Sequence, residues 1–216
     1  MQLNRHFNIR NLLIGLLGAL LLNNAIAASS PPIVEGTDYT VLNKAIVKKV
    51  EPKGKVNVKE FFSFVCIHCK DIEPLVASKL LANKAVDLDK IHVAWNPSTE
   101  SYAKLNATLL IMKLDKLYTP AFTATFSQHD LNDPVQLKGF LSQNGLSQDQ
   151  ITKFMSTYNS FTVNSKVSEY KTQMEAYDIS GTPTFVVGDK YVVSPALPER
   201  AMEVTQYLVK KSATEK

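Results

Sequence analysis

The sequence predicts an α/β fold: a βαβ unit and a closing ββα unit bracket a block of helices. Three stretches carry that prediction. "KVNVKEFFSFV" (residues 55–65) alternates and then turns continuously apolar, as a strand covered on both faces does. "CKDIEPLVASKLLANKA" (69–85) places Ile72, Leu75, Val76, Leu80 and Leu81 at helical spacing, with Pro74 expected to kink the helix. "LDKIHVAW" (88–95) reads as a second strand, and strand–helix–strand implies parallel pairing through a right-handed crossover.

From Ser98 to about Tyr158 the pattern turns helical. Tyr102, Leu105, Leu109 and Met112 form one stripe, read as core packing. Asp133-Pro134 has the form of an N-cap with proline at the first helical position, and Ser147 with Gln150 that of a capping box. A helix over 160–177 leads to "GTPTFVVGDKYVV" (181–193), where two short strands flank a Gly188-Asp189-Lys190 connection. "PERAMEVTQYLVKK" (198–211) closes the chain with an amphipathic helix.

The N-terminus has the order of a secretory leader. Arg5 and Arg10 precede an apolar run from Leu12 to Leu22, and Ala25-Ile26-Ala27 supplies the small residues a signal peptidase reads. The run is short for a bilayer span. Cleavage after Ala27 leaves 189 of the 216 residues, enough for one domain carrying an insertion. Without the two leader arginines the net charge falls from +4 to +2, too small to argue for nucleic acid. The remaining basic residues, Arg200 and 21 lysines, are scattered and read as a solvated coat.

Both cysteines fall in "FFSFVCIHCK" (61–70), two residues apart. A staple, a metal site and a redox centre are the candidate readings. A bridge closing a four-residue loop contributes only about 2 kcal/mol, so the spacing is a poor staple. Cys66, His68 and Cys69 are cramped around one zinc ion, and no second pair completes a tetrahedral set. Redox chemistry has a mechanism. At a strand-to-helix junction the first sulfur sits on the unpaired amides of the helix start, which favour an anion. Cysteines so placed titrate between about 3.5 and 7.5. His68 is expected to add a donor or a positive charge, and Cys69, a turn further in, to be the buried resolving thiol.

Glu60 stands out without further comparison. At period two it shares a face with Val56, Val58, Phe62 and Phe64, so its carboxylate is expected to be buried and raised unless paired. Lys90, on the neighbouring strand, is the candidate partner. His92, on the Lys90 face, reads as structural.

The combination of "EFFSFVCIHC", a proline eight residues after Cys66, "GTPTFVV" and "GTDYTVL" resembles the thioredoxin superfamily, and more closely the DsbA-like periplasmic thiol:disulfide oxidoreductases. That resemblance covers essentially the whole chain after the leader. It implies a thioredoxin fold with an inserted α-helical domain, divided as 28–97, 98–160 and 161–216. It also implies a cis bond before Pro183 that sets the backbone of Thr182 beside Cys66, where an incoming peptide adds as a strand. The Thr182 hydroxyl would lie near the sulfur as well. Similar proteins carry an acidic–basic pair beneath the second cysteine, matching Glu60 and Lys90.

The implied activity is donation of a Cys66–Cys69 disulfide to reduced, newly exported proteins by a monomer without a cofactor, reoxidised by a quinone-linked membrane protein similar to DsbB. One departure is Ile67, where proline commonly precedes the histidine of the family's motif; the fixed φ of proline is lost there. A reductase or isomerase on the same scaffold is the nearest competing reading. The stretch between Ala28 and the first core strand is short for the dimerisation domain that isomerases usually add. A peptide-binding holdase is the competitor from another class. Kappa-type glutathione transferases share the layout but not the two-cysteine motif.

Overall fold

The computed structural model describes residues 31–42 and 54–215, so the leader expected over 1–27 lies outside the described residues. Its sheet has five strands: β1 (Tyr39–Val41), β2 (Val56–Phe62), β3 (Val86–His92), β4 (Thr184–Val187) and β5 (Tyr191–Val193), in the order β1-β5-β4-β2-β3. β2 pairs in parallel with β3 and antiparallel with β4, and β5 pairs antiparallel with both β4 and β1. The parallel pair is the βαβ unit expected from the sequence.

β2 is buried at all seven positions, which explains its unbroken apolar reading. Val56 and Val58 face a core built with α1 (Ile67–Val76) and α7 (Pro198–Thr214). Phe61 faces the opposite core with α6 (Phe161–Ala176) and part of α2 (Pro97–Ile111). Phe62 and Phe64 enter a third cluster with α2, α3 (Tyr118–Phe126), α4 (Pro134–Gln143) and α5 (Gln148–Tyr158). The Tyr102/Leu105/Leu109 stripe lies in that cluster, with Met112 at its edge. The aromatic end of β2 therefore joins sheet and helical block just before the two cysteines.

The caps expected from the sequence are present. Asp133 accepts from the amides of Val135 and Gln136, and Ser147 and Gln150 cap each other reciprocally. The helix expected over 69–85 is two segments. Pro74 has no N–H for the carbonyl four residues back, and after Val76 the helix widens into a π-helical turn, Ala77–Leu81. Leu81 is then exposed rather than part of the apolar stripe. In the β4–β5 hairpin Gly188 (φ 61°) and Asp189 (φ 53°) both take the left-handed region, which reverses the chain within three residues.

Lys59 is no part of a solvated coat: it is 4% exposed and paired with Asp189, which also accepts from the Tyr177 hydroxyl. Because β2 is covered on both faces, a lysine at an odd position points at α6 and needs a buried counter-charge.

Candidate active site

The chain leaves β2 at Phe62, turns through Ser63-Phe64-Val65, and enters α1 with Cys66 as N-cap. The Cys66 amide donates to the Ser63 carbonyl at 3.0 Å, and the Val65 amide to Ser63 Oγ at 3.3 Å, which fixes the approach. Cys66 Sγ is half-buried and lies 3.4 Å from the Thr182 carbonyl, at a cis Thr182–Pro183 bond. Both cysteines are free thiols.

The two sulfurs are driven apart in acidity. The Cys66 thiol is lowered to about 5, first by a hydrogen bond from the Cys69 thiol. Partial burial opposes this, while the Thr182 side chain and the backbone amides of Cys69 and His68 add to it. Cys69 is fully buried, and burial raises it far above the ordinary thiol range; the hydrogen bond and charge of Cys66 and the charge of Glu60 push the same way. One sulfur is thus poised as an accessible anion and the other held protonated.

Beneath Cys69 lies a buried charge cluster. Lys90 Nζ is 2.8 Å from Glu60 Oε2 and 2.6 Å from Glu73 Oε2, and none of the three residues is more than 4% exposed. Glu60 and Lys90 are direct cross-strand partners on β2 and β3, and Glu73 reaches in from α1. Glu60 Oε2 meets the ammonium at ion-pair distance but off the hydrogen-bonding direction, and Oε1 has no hydrogen-bond partner among the described residues. Two carboxylates therefore share one lysine. Burial pushes Glu73 up to about 7, against the pull of Lys90 and with the help of the Glu60 charge. A carboxyl that titrates near neutrality, one helical turn below Cys69, can hold or yield a proton there.

His92 is fully buried next to this cluster. Its Nδ1–H donates to the Val93 carbonyl at 2.7 Å and its Nε2 accepts from the Phe64 amide at 2.9 Å. Burial depresses it to about 3, so the ring is neutral and holds the backbone two residues before Cys66. His92→Leu is expected to lower the unfolding free energy in urea by about 1–3 kcal/mol, because the Phe64 amide loses its acceptor. The folded value lies below the ordinary 6.5, so the unfolded chain takes up the proton first. The native protein should lose stability as pH falls from 6.5 toward 3, and the variant should lose less over that interval.

A groove of about 540 Å³ opens beside the sulfur, lined by His68, Ile72 and Tyr177, by the Thr182-Pro183 bond and by the exposed Leu197. Among the described residues no group of three or more His, Cys, Asp or Glu is placed to hold a metal ion.

A family model described as Thioredoxin matches residues 51–205. The Thiol:disulfide interchange protein DsbA of Burkholderia cepacia is 33% identical over 212 residues, covering 94% of this chain and 97% of that protein. The chain belongs to the DsbA-like group of the thioredoxin family. Solved structures agree. The DsbA of Pseudomonas aeruginosa superposes with a TM-score of 0.73 at 27% identity, covering 85% of this chain and 97% of that one. The oxidoreductase NmDsbA1 of Neisseria meningitidis gives 0.71 at 29% identity, covering 84% and 95%.

In this DsbA-like fold Cys66, Cys69, Thr182, Pro183 and His68 come together at one end of the sheet, with Glu60 and Lys90 in the layer below. His68 is exposed, and its backbone amide favours the Cys66 anion. Thr182 acts twice, its carbonyl facing the thiol and its side chain favouring the thiolate. Glu73 was missed by sequence reasoning. Its signal was position: four residues after Cys69, it lies on the same helix face.

Proposed function

We propose that the protein is a periplasmic dithiol oxidase, which donates the Cys66–Cys69 disulfide to reduced, newly exported proteins. It is a thiol:disulfide oxidoreductase, as its relatives are thiol:disulfide interchange proteins. The observation that carries the direction of transfer is the split between the two sulfurs, one half-buried and held near 5, the other buried and held protonated. A low-pKa sulfur is a good leaving group and stabilises the reduced form, which makes the bridged form the oxidant.

In the first step a substrate thiolate attacks Cys66 Sγ. The Cys66–Cys69 bond breaks, Cys69 leaves as a thiolate, and a mixed disulfide forms at Cys66. Cys69 then takes a proton, which we assign to the Glu60–Glu73–Lys90 cluster, with Glu73 as the group that titrates nearest neutrality. In the second step another substrate thiolate attacks the substrate sulfur of the mixed disulfide, and Cys66 leaves as the stabilised thiolate. The substrate loses two electrons and gains a disulfide, while the protein ends as one thiolate and one thiol. The two sulfurs carry both electrons, and no cofactor is needed for this exchange. An extended substrate segment lies along the groove and pairs with the backbone at Thr182, ahead of Pro183.

Export through a cleaved leader over 1–27, action as a monomer, reoxidation by a DsbB-like quinone-linked membrane protein, and division into thioredoxin parts 28–97 and 161–216 around a helical insertion 98–160 complete the reading. Cys66→Ser separates oxidase from holdase. The variant should fold yet reduce disulfide transfer to a reduced, unfolded test protein to the uncatalysed background; retention of the protein's protective effect with that variant would favour the holdase.

A further inference from the structure

The ammonium of Lys90 is enclosed by more than its two carboxylates. Its Nζ lies 4.6 Å from the centre of the Tyr118 ring and 4.9 Å from that of Phe62. Phe62 belongs to the sheet, but Tyr118 opens α3 in the helical block and is 2% exposed. Its hydroxyl donates to Asn106 Oδ1 at 2.6 Å. Asn106 in turn donates through Nδ2 to the Lys90 carbonyl at 2.8 Å and to the Tyr170 hydroxyl at 3.0 Å. One fully buried amide therefore ties the backbone of Lys90 to the ring that faces its side chain.

We propose that Tyr118, aligned by Asn106, is a positioning residue that holds the Lys90 ammonium between Glu60 and Glu73. The inserted helices thereby contribute to proton handling beneath Cys69, and this deepens the acid–base reading above and rests on it. The physical reason is that a shared lysine has no intrinsic preference for staying midway between two carboxylates. A ring face on its open side attracts the cation electrostatically and leaves it no room to swing away. The charged and titratable groups around this point are Glu60 on β2, Cys69 and Glu73 on α1, the neutral His92 on β3, Tyr118 on α3, Asp115 in the 3-10 turn before α3, and Tyr170 on α6. Tyr118 itself stays neutral, because burial holds its hydroxyl well above the ordinary tyrosine value.

The test uses the reduced full-length protein with isotope-labelled glutamate and lysine, in the native form and as Tyr118→Phe, Tyr118→Leu and Tyr118→Met. Methionine fills the volume with an adaptable chain and no ring face, so it supplies a folded variant if leucine leaves too large a void. Two quantities are read by NMR: the titration midpoint of the Glu73 carboxyl, and the exchange of the Lys90 ammonium protons with water. Tyr118→Phe keeps the ring face but loses the hydroxyl that Asn106 aligns, so it should fall between the native protein and Tyr118→Met in both quantities. Tyr118→Met should raise the Glu73 midpoint by about half a pH unit or more as its partner drifts, and speed ammonium exchange roughly tenfold. An unchanged or lowered midpoint with unchanged exchange, in a variant that has merely lost stability, overturns the proposal. Glu73 titrating like an ordinary carboxyl in the native protein would instead sink the acid–base reading, and the exchange rates would then decide the role of Tyr118 alone.

Discussion

Lys90→Met is expected to be the most damaging conservative-volume change in the molecule, lowering stability at neutral pH by about 3–5 kcal/mol. The lysine is 4% exposed and serves two carboxylates at 2.8 and 2.6 Å. Its removal leaves two buried negative charges with no cation. The pH dependence distinguishes this cause from lost packing. Without Lys90 the folded value of Glu73, already pushed up to about 7 by burial, rises further above that of the unfolded chain. Such a group costs stability as pH climbs past the unfolded value, and costs nothing once both states are protonated. Urea unfolding should show the penalty at pH 7 to 8 shrinking to about 1 kcal/mol by pH 4. A loss that is equally large at pH 4 and pH 8 would assign the effect to packing instead.

The second large effect concerns the relative stability of the bridged and reduced protein. The folded Cys66 value of about 5 lies below the ordinary 9.0, so its contribution is fully present above about pH 9 and lost as pH falls toward 5. Solvent screens a half-exposed sulfur, so the thiolate is worth about 1–2 kcal/mol to the reduced fold at pH 7. Against it stands the chain-entropy advantage of the bridge, about 2 kcal/mol for so short a loop. The magnitudes are close, and pH decides between them. Bridged protein should resist urea better at pH 5, and the reduced protein should draw level near neutrality and overtake it by about pH 8. A gap that does not move between those limits would mean that no anion is held at Cys66.

The parts of the site that the sequence made legible are those set by short-range geometry. Period two on β2 put Glu60 among Val56, Val58 and Phe62, and parallel pairing put it directly opposite Lys90. Two cysteines at a strand-to-helix junction placed one sulfur on the helix start and one inside. The rest depended on what packs against what. Glu73 was passed over, because only the packing of α1 against the sheet brings its carboxylate to Lys90. Lys59 looked like surface until α6 covered the other side of β2. The link from Asn106 through Tyr118 to Lys90 joins residues that only the docking of the helical block brings together. His68 was legible as a member of the motif, at the exposed first turn of α1.

The central claim is that Cys66 is an anion at neutral pH in the reduced protein. Ultraviolet absorbance of the thiolate across pH, with Cys66→Ser as the blank, measures it directly. A single transition with its midpoint near 5 is expected. A midpoint at or above about 8, the range of an unperturbed cysteine, would contradict it.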